Sequence, residues 1–132
     1  MRIDKCVVSI EDWQMQSSGK PFKVGDRIEW SVWKQSNNPE EYADDVDFIY
    51  ENFGITVPYK IFRLSGIVLE IKSEYYRTEV QLIDEEVPVD KLIYEKSYNI
   101  TEANGKDKDK DGLRFASYRI ALQDCILLPE KY

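Results

Sequence analysis

Apolar and polar positions alternate over several short stretches of the chain, and a period of two residues is typical of β-strands. The clearest stretch lies within residues 22–35, where Ile28, Trp30 and Val32 alternate with charged or hydroxyl-bearing neighbours. One apolar and one polar face fit an antiparallel sheet with one solvated side. The same reasoning predicts strands over residues 3–10, 22–35, 59–73, 78–83, 92–101, 113–122 and 124–128.

Glycine, proline and polar residues indicate where these strands bend or end. Gly66 lies inside a predicted strand, where glycine favours a bulge or a sharp bend. Pro88 cannot donate a backbone hydrogen bond, so its segment is expected at a sheet edge or in a connector. Residues 74–77 are predicted to form a tight connection between two strands.

The ends of the chain carry further strand predictions. Trp13 and Met15 continue the alternation of the first strand until a turn begins near residue 17. Strands 92–101 and 113–122 are predicted to pair as a hairpin, because strong turn dipeptides lie between them. The last strand, 124–128, is predicted to close against the first.

One segment, residues 38–54, has the period of a helix. Asn38 can cap it, Pro39 fits its first turn, and Gly54 can end it. A single apolar stripe runs along it. The stripe consists of Tyr42, Val46, Ile49 and Phe53. A helix from Pro39 to Phe53 is therefore predicted to cover the sheet with an acidic face turned outward.

These elements predict a mainly β fold with one α-helix. Six or seven strands that curve around a bend at Gly66 favour a small, partly open antiparallel β-barrel, SH3-like or OB-like, with one capping helix. The length of 132 residues fits a single domain, 1–132.

Charge narrows the classes of partner. The chain has 25 acidic and 18 basic side chains and a net charge of −7. Long-range repulsion then argues against nucleic acid and against anionic membranes. No run of 18 apolar residues and no signal-peptide pattern is visible, which predicts a cytoplasmic protein.

Residue types that carry much of enzyme chemistry are scarce. The chain has no histidine, so nucleophile pairs that depend on histidine are excluded, and two isolated cysteines cannot supply a zinc site. No pair of carboxylates stands out from the acidic surface. We therefore expect no catalysis, no metal and no cofactor. Cys6 and Cys125 are expected to be reduced and buried, and a bridge between them depends on whether the terminal strands pair.

The run from Asp107 to Gly112 matches the opening of a calcium-binding loop, with oxygen ligands at alternate positions and then glycine. Such a loop needs an acidic residue at its twelfth position, where this chain has Tyr118. Interleaved lysines also reduce the local negative charge. A charged hairpin tip is the favoured interpretation, with calcium binding as the weaker alternative.

Three groups of residues are candidate binding positions, each with a plain structural alternative. The acidic helix face can dock a basic partner or simply be solvated, and the tyrosine pair at the predicted turn suits recognition or packing. The string around Trp13 can frame a shallow pocket or end a strand. The candidates are Trp13, Gln14, Gln16, Tyr75, Tyr76, Glu40, Asp44 and Asp47.

The string Trp13-Gln14-Met15, followed by a Gly-Lys-Pro-Phe-Lys-Val-Gly-Asp segment that ends at Asp26, resembles the signature of an uncharacterised family of small bacterial proteins. Members of that family often have two cysteines where this chain has Ser17 and Ser18. The resemblance implies a bacterial cytoplasmic protein and directs attention to this loop, and it brings no activity with it.

Two hypotheses follow. The first is a non-catalytic binding module for an unidentified protein partner, which acts through the acidic helix or an aromatic barrel rim, as a monomer or weak homodimer. The second is a small-ligand-binding barrel that uses the loop from Trp13 to Phe22.

Overall fold

The computed structural model describes residues 1–17, 20–35, 46–51, 60–83, 85 and 87–129. Within these residues the chain is mainly β, as predicted, with one six-residue helix, α1 (Asp12–Ser17). The strands are β1 (Arg2–Glu11), β2 (Phe22–Lys23), β3 (Arg27–Lys34), β4 (Phe48–Tyr50), β5 (Phe62–Ile83), β6 (Val87–Ile100), β7 (Glu102–Ala103) and β8 (Arg114–Pro129).

Six of these strands form one sheet in the order β3-β4-β1-β8-β5-β6. All neighbours are antiparallel except β1 and β4, which are parallel. The start of β5 pairs with β3 as well as with β8, whereas its later part lies between β8 and β6. The two short strands β2 and β7 pair with each other.

The terminal strands pair, which confirms one prediction. Ile3 lies opposite Cys125, and Glu11 lies opposite Ser117. The predicted strands 113–122 and 124–128 are one strand, β8, in which Asp124 has a positive φ of 52°. From Tyr118 to Leu122 the buried side chains of β8 are at even positions, and after Asp124 they are at odd positions from Cys125. The turn at Asp124 therefore keeps the buried side chains of both parts of β8 on the core side.

Gly66 lies at a bend, as predicted: the pairing of β5 with β8 shifts register between Ser65 and Ile67. A Cβ atom at Gly66 would lie 3.2 Å from the Sγ atom of Cys125 and 3.3 Å from the carbonyl oxygen of Gln123. The crossing strands approach so closely that only a residue without a side chain fits here unstrained.

Three local predictions are wrong. Residues 74–77 form no tight connection, because β5 continues through them with register shifts at Glu74 and Tyr75. Strands β6 and β8 form no hairpin, since both pair with β5 instead. The alternation at Trp13 lies in α1 rather than in a strand.

The predicted helix from Pro39 to Phe53 is wrong over residues 46–51, and the rest of it lies outside the described residues. Phe48–Tyr50 form β4, with Phe48 opposite Val8 of β1 and Ile49 opposite Trp33 of β3. Both Phe48 and Ile49 are buried. A segment that is apolar on both faces gains more from insertion between two strands than from a one-sided helix stripe.

The core lies mainly on one face of the sheet, where side chains from β1, β3, β5 and β8 pack together. A smaller cluster forms on the other side around Trp33, Val46, Ile49 and Ile61. Both clusters lie beside the part of β5 that pairs with β3 or β8, which ends at Tyr76. The last residues of β5, 77–83, lie away from both clusters.

Candidate functional site

The far end of β5 leaves the body of the sheet. The last pairing of β5 with β8 joins Tyr76 to Arg114, and beyond it β5 pairs only with β6 among the described strands. Residues 77–83 of β5 and 87–93 of β6 therefore form a two-stranded extension, which we call the ribbon. An isolated two-stranded hairpin is marginally stable in water, so a ribbon of this kind gains from a partner.

The two faces of the ribbon differ in chemistry. In the pairing register Thr78 lies opposite Leu92, Val80 opposite Asp90, and Leu82 opposite Pro88, and these side chains share one face. We call it the apolar face; its members are Tyr76, Thr78, Val80, Leu82, Pro88, Leu92 and Tyr94, with Asp90 as its one charged residue. The opposite face carries three charged residues, Arg77, Glu79 and Lys91, together with three apolar ones, Val87, Val89 and Ile93.

The apolar face is open to solvent. Val80 is 64% exposed and Leu82 is 61% exposed, and Tyr94 and Leu92 are 50% and 42% exposed. Single exposed apolar side chains are common on protein surfaces, but a contiguous group marks an interaction site. The face is contiguous because its residues occupy successive cross-strand positions.

Contacts at the base of the ribbon fix its direction. The rings of Tyr76 and Tyr94 meet edge to face with centroids 5.7 Å apart. On the opposite face the guanidinium of Arg77 contacts both Glu95 and Glu79. Burial, followed by the charge of Glu74, raises the pKa of Tyr76. The ribbon thus leaves the sheet from a packed base.

The predicted tyrosine pair is divided between the two faces of β5. Tyr75 is fully buried between Tyr98 and Phe115, with ring centroids 5.3 and 5.8 Å away, and its hydroxyl donates to the carbonyl of Lys108 at 3.2 Å. Tyr76 is half-buried at the ribbon base. Tyr76 therefore belongs to the candidate surface, whereas Tyr75 holds the core together.

The structure places the side chains of Trp13 and Gln14 in different surroundings. The side chain of Gln14 is buried, where it accepts a hydrogen bond from the amide of Glu11 at 2.9 Å and donates to the carbonyl of Tyr50 at 2.7 Å. Trp13 is 47% exposed, because neighbours in a helix point in different directions. The side chain of Gln16 lies outside the described part of the chain.

A cleft of about 430 Å³ lies at the other end of that loop. Trp30 packs edge to face against Phe22 at 5.1 Å and Tyr50 at 5.5 Å, and all three rings line the cleft. The cleft is also lined by four charged side chains, Lys20, Asp26, Arg27 and Glu29. Aromatic rings beside polar groups occur in small-molecule sites. No sequence pattern indicates the cleft, since Tyr50 lies within the helix prediction.

Of the acidic candidates, Asp47 has a structural contact. Its carboxylate accepts a hydrogen bond from the amide of Val7 at 2.8 Å, and its own amide donates to the Val7 carbonyl at 2.9 Å. Asp47 thereby holds the start of β4 against β1. Glu40 and Asp44 lie outside the described residues.

The aspartates between Asp107 and Gly112 contact separate protein groups. Asp107 accepts from the hydroxyl of Tyr118, and Asp109 accepts from the amide of Phe115 at 2.9 Å. Asp111 lies 3.8 Å from the ammonium of Lys96. Across the described ranges, no group of three or more acidic, cysteine or histidine side chains is arranged to hold a metal ion.

A buried ion pair lies behind the ribbon base and was not predicted from the sequence. The carboxylate of Glu74 lies 3.0 Å from the guanidinium of Arg119 and accepts a hydrogen bond from the hydroxyl of Ser117 at 3.0 Å. Glu74 is almost completely buried. The alternation of polar and apolar residues in the sequence indicates only that Glu74 and Arg119 share a polar face. Their contact depends on the register in which β5 pairs with β8.

The two cysteines are close, which answers the question that the sequence left open. Their Sγ atoms lie 3.4 Å apart, both side chains are buried, and both thiols are free. Burial raises the pKa of each thiol. Cys125 also borders a cleft of about 290 Å³ beside Arg2 and Asp124.

Together these features define a mainly β protein with a projecting two-stranded ribbon. The chain belongs to a family described as Family of unknown function (DUF6578), whose model matches residues 4–124. The expectation of an uncharacterised family is thus confirmed at the level of the family. No curated protein and no solved structure matches the chain. Within the described residues, no helix has the length and apolar character needed to cross a membrane.

Proposed function

We propose that this chain is a non-catalytic protein-interaction module that binds a protein partner through the apolar face of the ribbon. The observation that carries the proposal is the exposure of Val80 and Leu82, which lie beyond the last pairing of β5 with β8 at Arg114. Among the described residues, neither side chain belongs to a core cluster. Their burial against a partner would supply the hydrophobic free energy that the isolated ribbon lacks.

The composition of the face supports this proposal. Tyr76 and Tyr94 meet at its base, and tyrosine is enriched among the residues that dominate binding energy at protein interfaces. The charged residues Arg77, Glu79 and Lys91 lie on the opposite face. The apolar face has one charged residue, Asp90, and the depletion of charged residues is typical of the core of an interface.

The proposal includes a finer description of the fold. Because β3 pairs with both β4 and β5, the sheet pairings lead from β3 through β4, β1, β8 and β5 back to β3. This supports a small barrel of the SH3-like or OB-like kind, with the ribbon extending from its rim. Two buried free thiols support a reducing, cytoplasmic location.

Binding through the apolar face is tested with a variant that carries Val80→Thr, Leu82→Thr and Leu92→Thr, which we call the ribbon-face variant. Wild type and variant are immobilised and exposed to an extract of the source cells. We expect proteins retained by wild type to be lost with the ribbon-face variant. The matched control, Glu79→Gln on the opposite face, should retain them. Equal retention by wild type and the ribbon-face variant would contradict the proposal.

Small-ligand binding is a second candidate function, favoured by the cleft at Trp30. Its volume of about 430 Å³ falls within the range of about 300–1,000 Å³ that is common for ligand pockets. A thermal-shift screen with a library of small metabolites tests it. A ligand of this cleft should stabilise wild type and should stabilise a Glu29→Gln variant less. Absence of any stabilising compound would count against this function.

A further inference from the structure

Strand β6 has an unpaired edge within the part of the chain that the structure describes. It is the last strand of the sheet, and among the described residues only β5 pairs with it. An edge strand presents unpaired backbone amides and carbonyls, which makes it a template for another strand unless charge or proline blocks the addition. Pro88 and the charged residues of β6 therefore decide which strand can be added.

The charges of β6 form a pattern that complements its own reverse. From Asp90 to Lys96 the residues read negative, positive, three uncharged, negative, positive. The pairing of β6 with β5 skips Glu95, which lies at a bulge between Tyr94 and Lys96. If two copies of β6 align antiparallel about a two-fold axis at Ile93 and Glu95 takes its place in the new pair, Lys91 of each copy lies opposite Glu95 of the other. Leu92 then lies opposite Tyr94, which places apolar side chains together on either side of the axis.

We propose that β6 pairs with β6 of a second copy of this chain, antiparallel and centred on Ile93. Such a contact is isologous, since the same residues serve both copies, and it closes as a two-fold dimer. Opposite charges directly across from each other stabilise a strand pair, and like charges destabilise it. Each dimer contains the Lys91–Glu95 pair twice.

The pattern also excludes neighbouring registers. A slip by one residue in one direction places Asp90 opposite Glu95, and a slip in the other direction places Lys91 opposite Lys96. Both slips bring like charges together and also exchange the faces of one strand relative to the other. The centre at Ile93 is thus favoured by attraction in register and by repulsion after a slip of one residue in either direction.

Pairing in this register joins the apolar faces of two ribbons. A two-fold axis perpendicular to the sheet keeps both apolar faces on the same side, with Leu92 beside Tyr94 across the junction. The result is a four-stranded surface with twice the apolar width of one ribbon. The dimer uses the edge of β6 and not the apolar face, so it goes beyond the proposed function and is tested separately.

Sedimentation velocity over about a hundredfold range of protein concentration tests the dimer, because mass action populates it at high concentration. We expect wild type to shift from monomer to dimer. Lys91→Glu creates two glutamate–glutamate contacts across the dimer axis, and Glu95→Lys creates two lysine–lysine contacts. Each substitution should raise the dissociation constant at least about tenfold.

Mixing the two variant chains separates loss of charge pairing from damage to β6. An equimolar mixture of the Lys91→Glu and Glu95→Lys chains restores attraction at both positions, so a heterodimer should form although neither chain dimerises alone. The double variant, which carries both substitutions in one chain, should also dimerise. Local damage to β6, including loss of the Arg77–Glu95 contact, cannot produce this rescue.

Lys5→Glu on the exposed side of β1 is the matched control for Lys91→Glu, since it changes the net charge equally and lies away from β6. It should dimerise like wild type. A wild type that stays monomeric at every concentration overturns the proposal. A dimer that persists in the Lys91→Glu chain, or a mixture that fails to associate, overturns it equally.

Discussion

The thiols of Cys6 and Cys125 lie side by side in the core, with their Sγ atoms 3.4 Å apart although 119 positions separate them in the chain. The pairing of β1 with β8 brings the two strands together, and the positive φ of Asp124 turns Cys125 to the same face as Cys6. The contact therefore joins the two ends of the chain at the centre of the fold.

Mild oxidation should convert this contact into a disulfide. A diazene-dicarboxamide oxidant takes up the two electrons and two protons that the thiols release, and the sulfur atoms need only a small approach to reach bonding distance. Closing so long a loop should raise the free energy of unfolding by roughly 4 kcal/mol. Intact mass and urea unfolding with and without a reductant measure both effects.

The Cys125→Ser chain, treated with the same oxidant, is the control and should gain no stability. If wild type forms no intramolecular disulfide, or forms one that lowers stability, the described geometry of the terminal strands is contradicted.

Alkaline pH should destabilise the fold. Burial raises the pKa of Cys6 above its ordinary value of 9.0, and burial with the neighbouring Asp107 raises the pKa of Tyr118 above 10.0. The folded state keeps these protons whereas the unfolded state loses them. Stability is thus fully present below about pH 9. Above about pH 9 it falls by about 1.4 kcal/mol per pH unit through Cys6, and above about pH 10 Tyr118 adds a fall of the same size.

Urea unfolding at a series of pH values measures this slope. Cys6→Ala removes the contribution of Cys6 and should make the decline above about pH 9 shallower. Unchanged stability between about pH 8 and about pH 10.5 would show that neither group is protected from ionisation in the folded state.

The buried pair of Glu74 and Arg119 should contribute much more to stability than an exposed pair does. Glu74→Ala leaves Arg119 without its buried carboxylate and should lower the free energy of unfolding by about 3–5 kcal/mol. Glu29→Ala removes the exposed partner of Arg63 and should cost about 0–1 kcal/mol. Chemical denaturation compares the two, and equal costs would contradict the burial of Glu74.

Gly66→Ala should destabilise the bend in β5. The new Cβ atom would contact the Sγ atom of Cys125 and the backbone of Gln123 at 3.2 and 3.3 Å, so both must shift. We expect a loss of about 1–3 kcal/mol in the free energy of unfolding. Ser65→Ala, at the preceding position, is the control and should change stability by less. A neutral Gly66→Ala would show that the strands separate easily here.

Much of the strand pattern could be predicted because alternation is local. The strand through Ile28, Trp30 and Val32 is present as β3, the bend at Gly66 is present, and Pro88 lies in the edge strand β6. Each prediction depended on a few neighbouring residues. In each case the local preference and the final fold agree.

The remaining predictions failed where distant segments decide the structure. Phe48 and Ile49 fit a helix by spacing, but β1 and β3 leave a place for a strand between them. The alternation of Val80 and Leu82 predicts an apolar face. Whether that face is covered depends on where β8 begins, and β8 begins at Arg114, opposite Tyr76. Exposure of the ribbon depends on contacts that no local pattern contains.

Removal of the apolar face should leave the fold intact. The ribbon-face variant changes exposed side chains that pack against no core cluster, so its free energy of unfolding should change by no more than about 0.5 kcal/mol per site. Val68→Thr, which buries a hydroxyl in the core, should cost more. Thermal unfolding compares them, and a large loss in the ribbon-face variant would show that the ribbon stabilises the monomer.

Site-specific photo-crosslinking in the source cells tests the central claim most directly. A photoreactive amino acid replaces Val80 on the apolar face in one chain, and Glu79 on the opposite face in another. The proposed function predicts a discrete protein adduct from position 80 and none from position 79. Adducts from position 79 alone, or none from either position, would contradict the assignment of the apolar face as the binding surface.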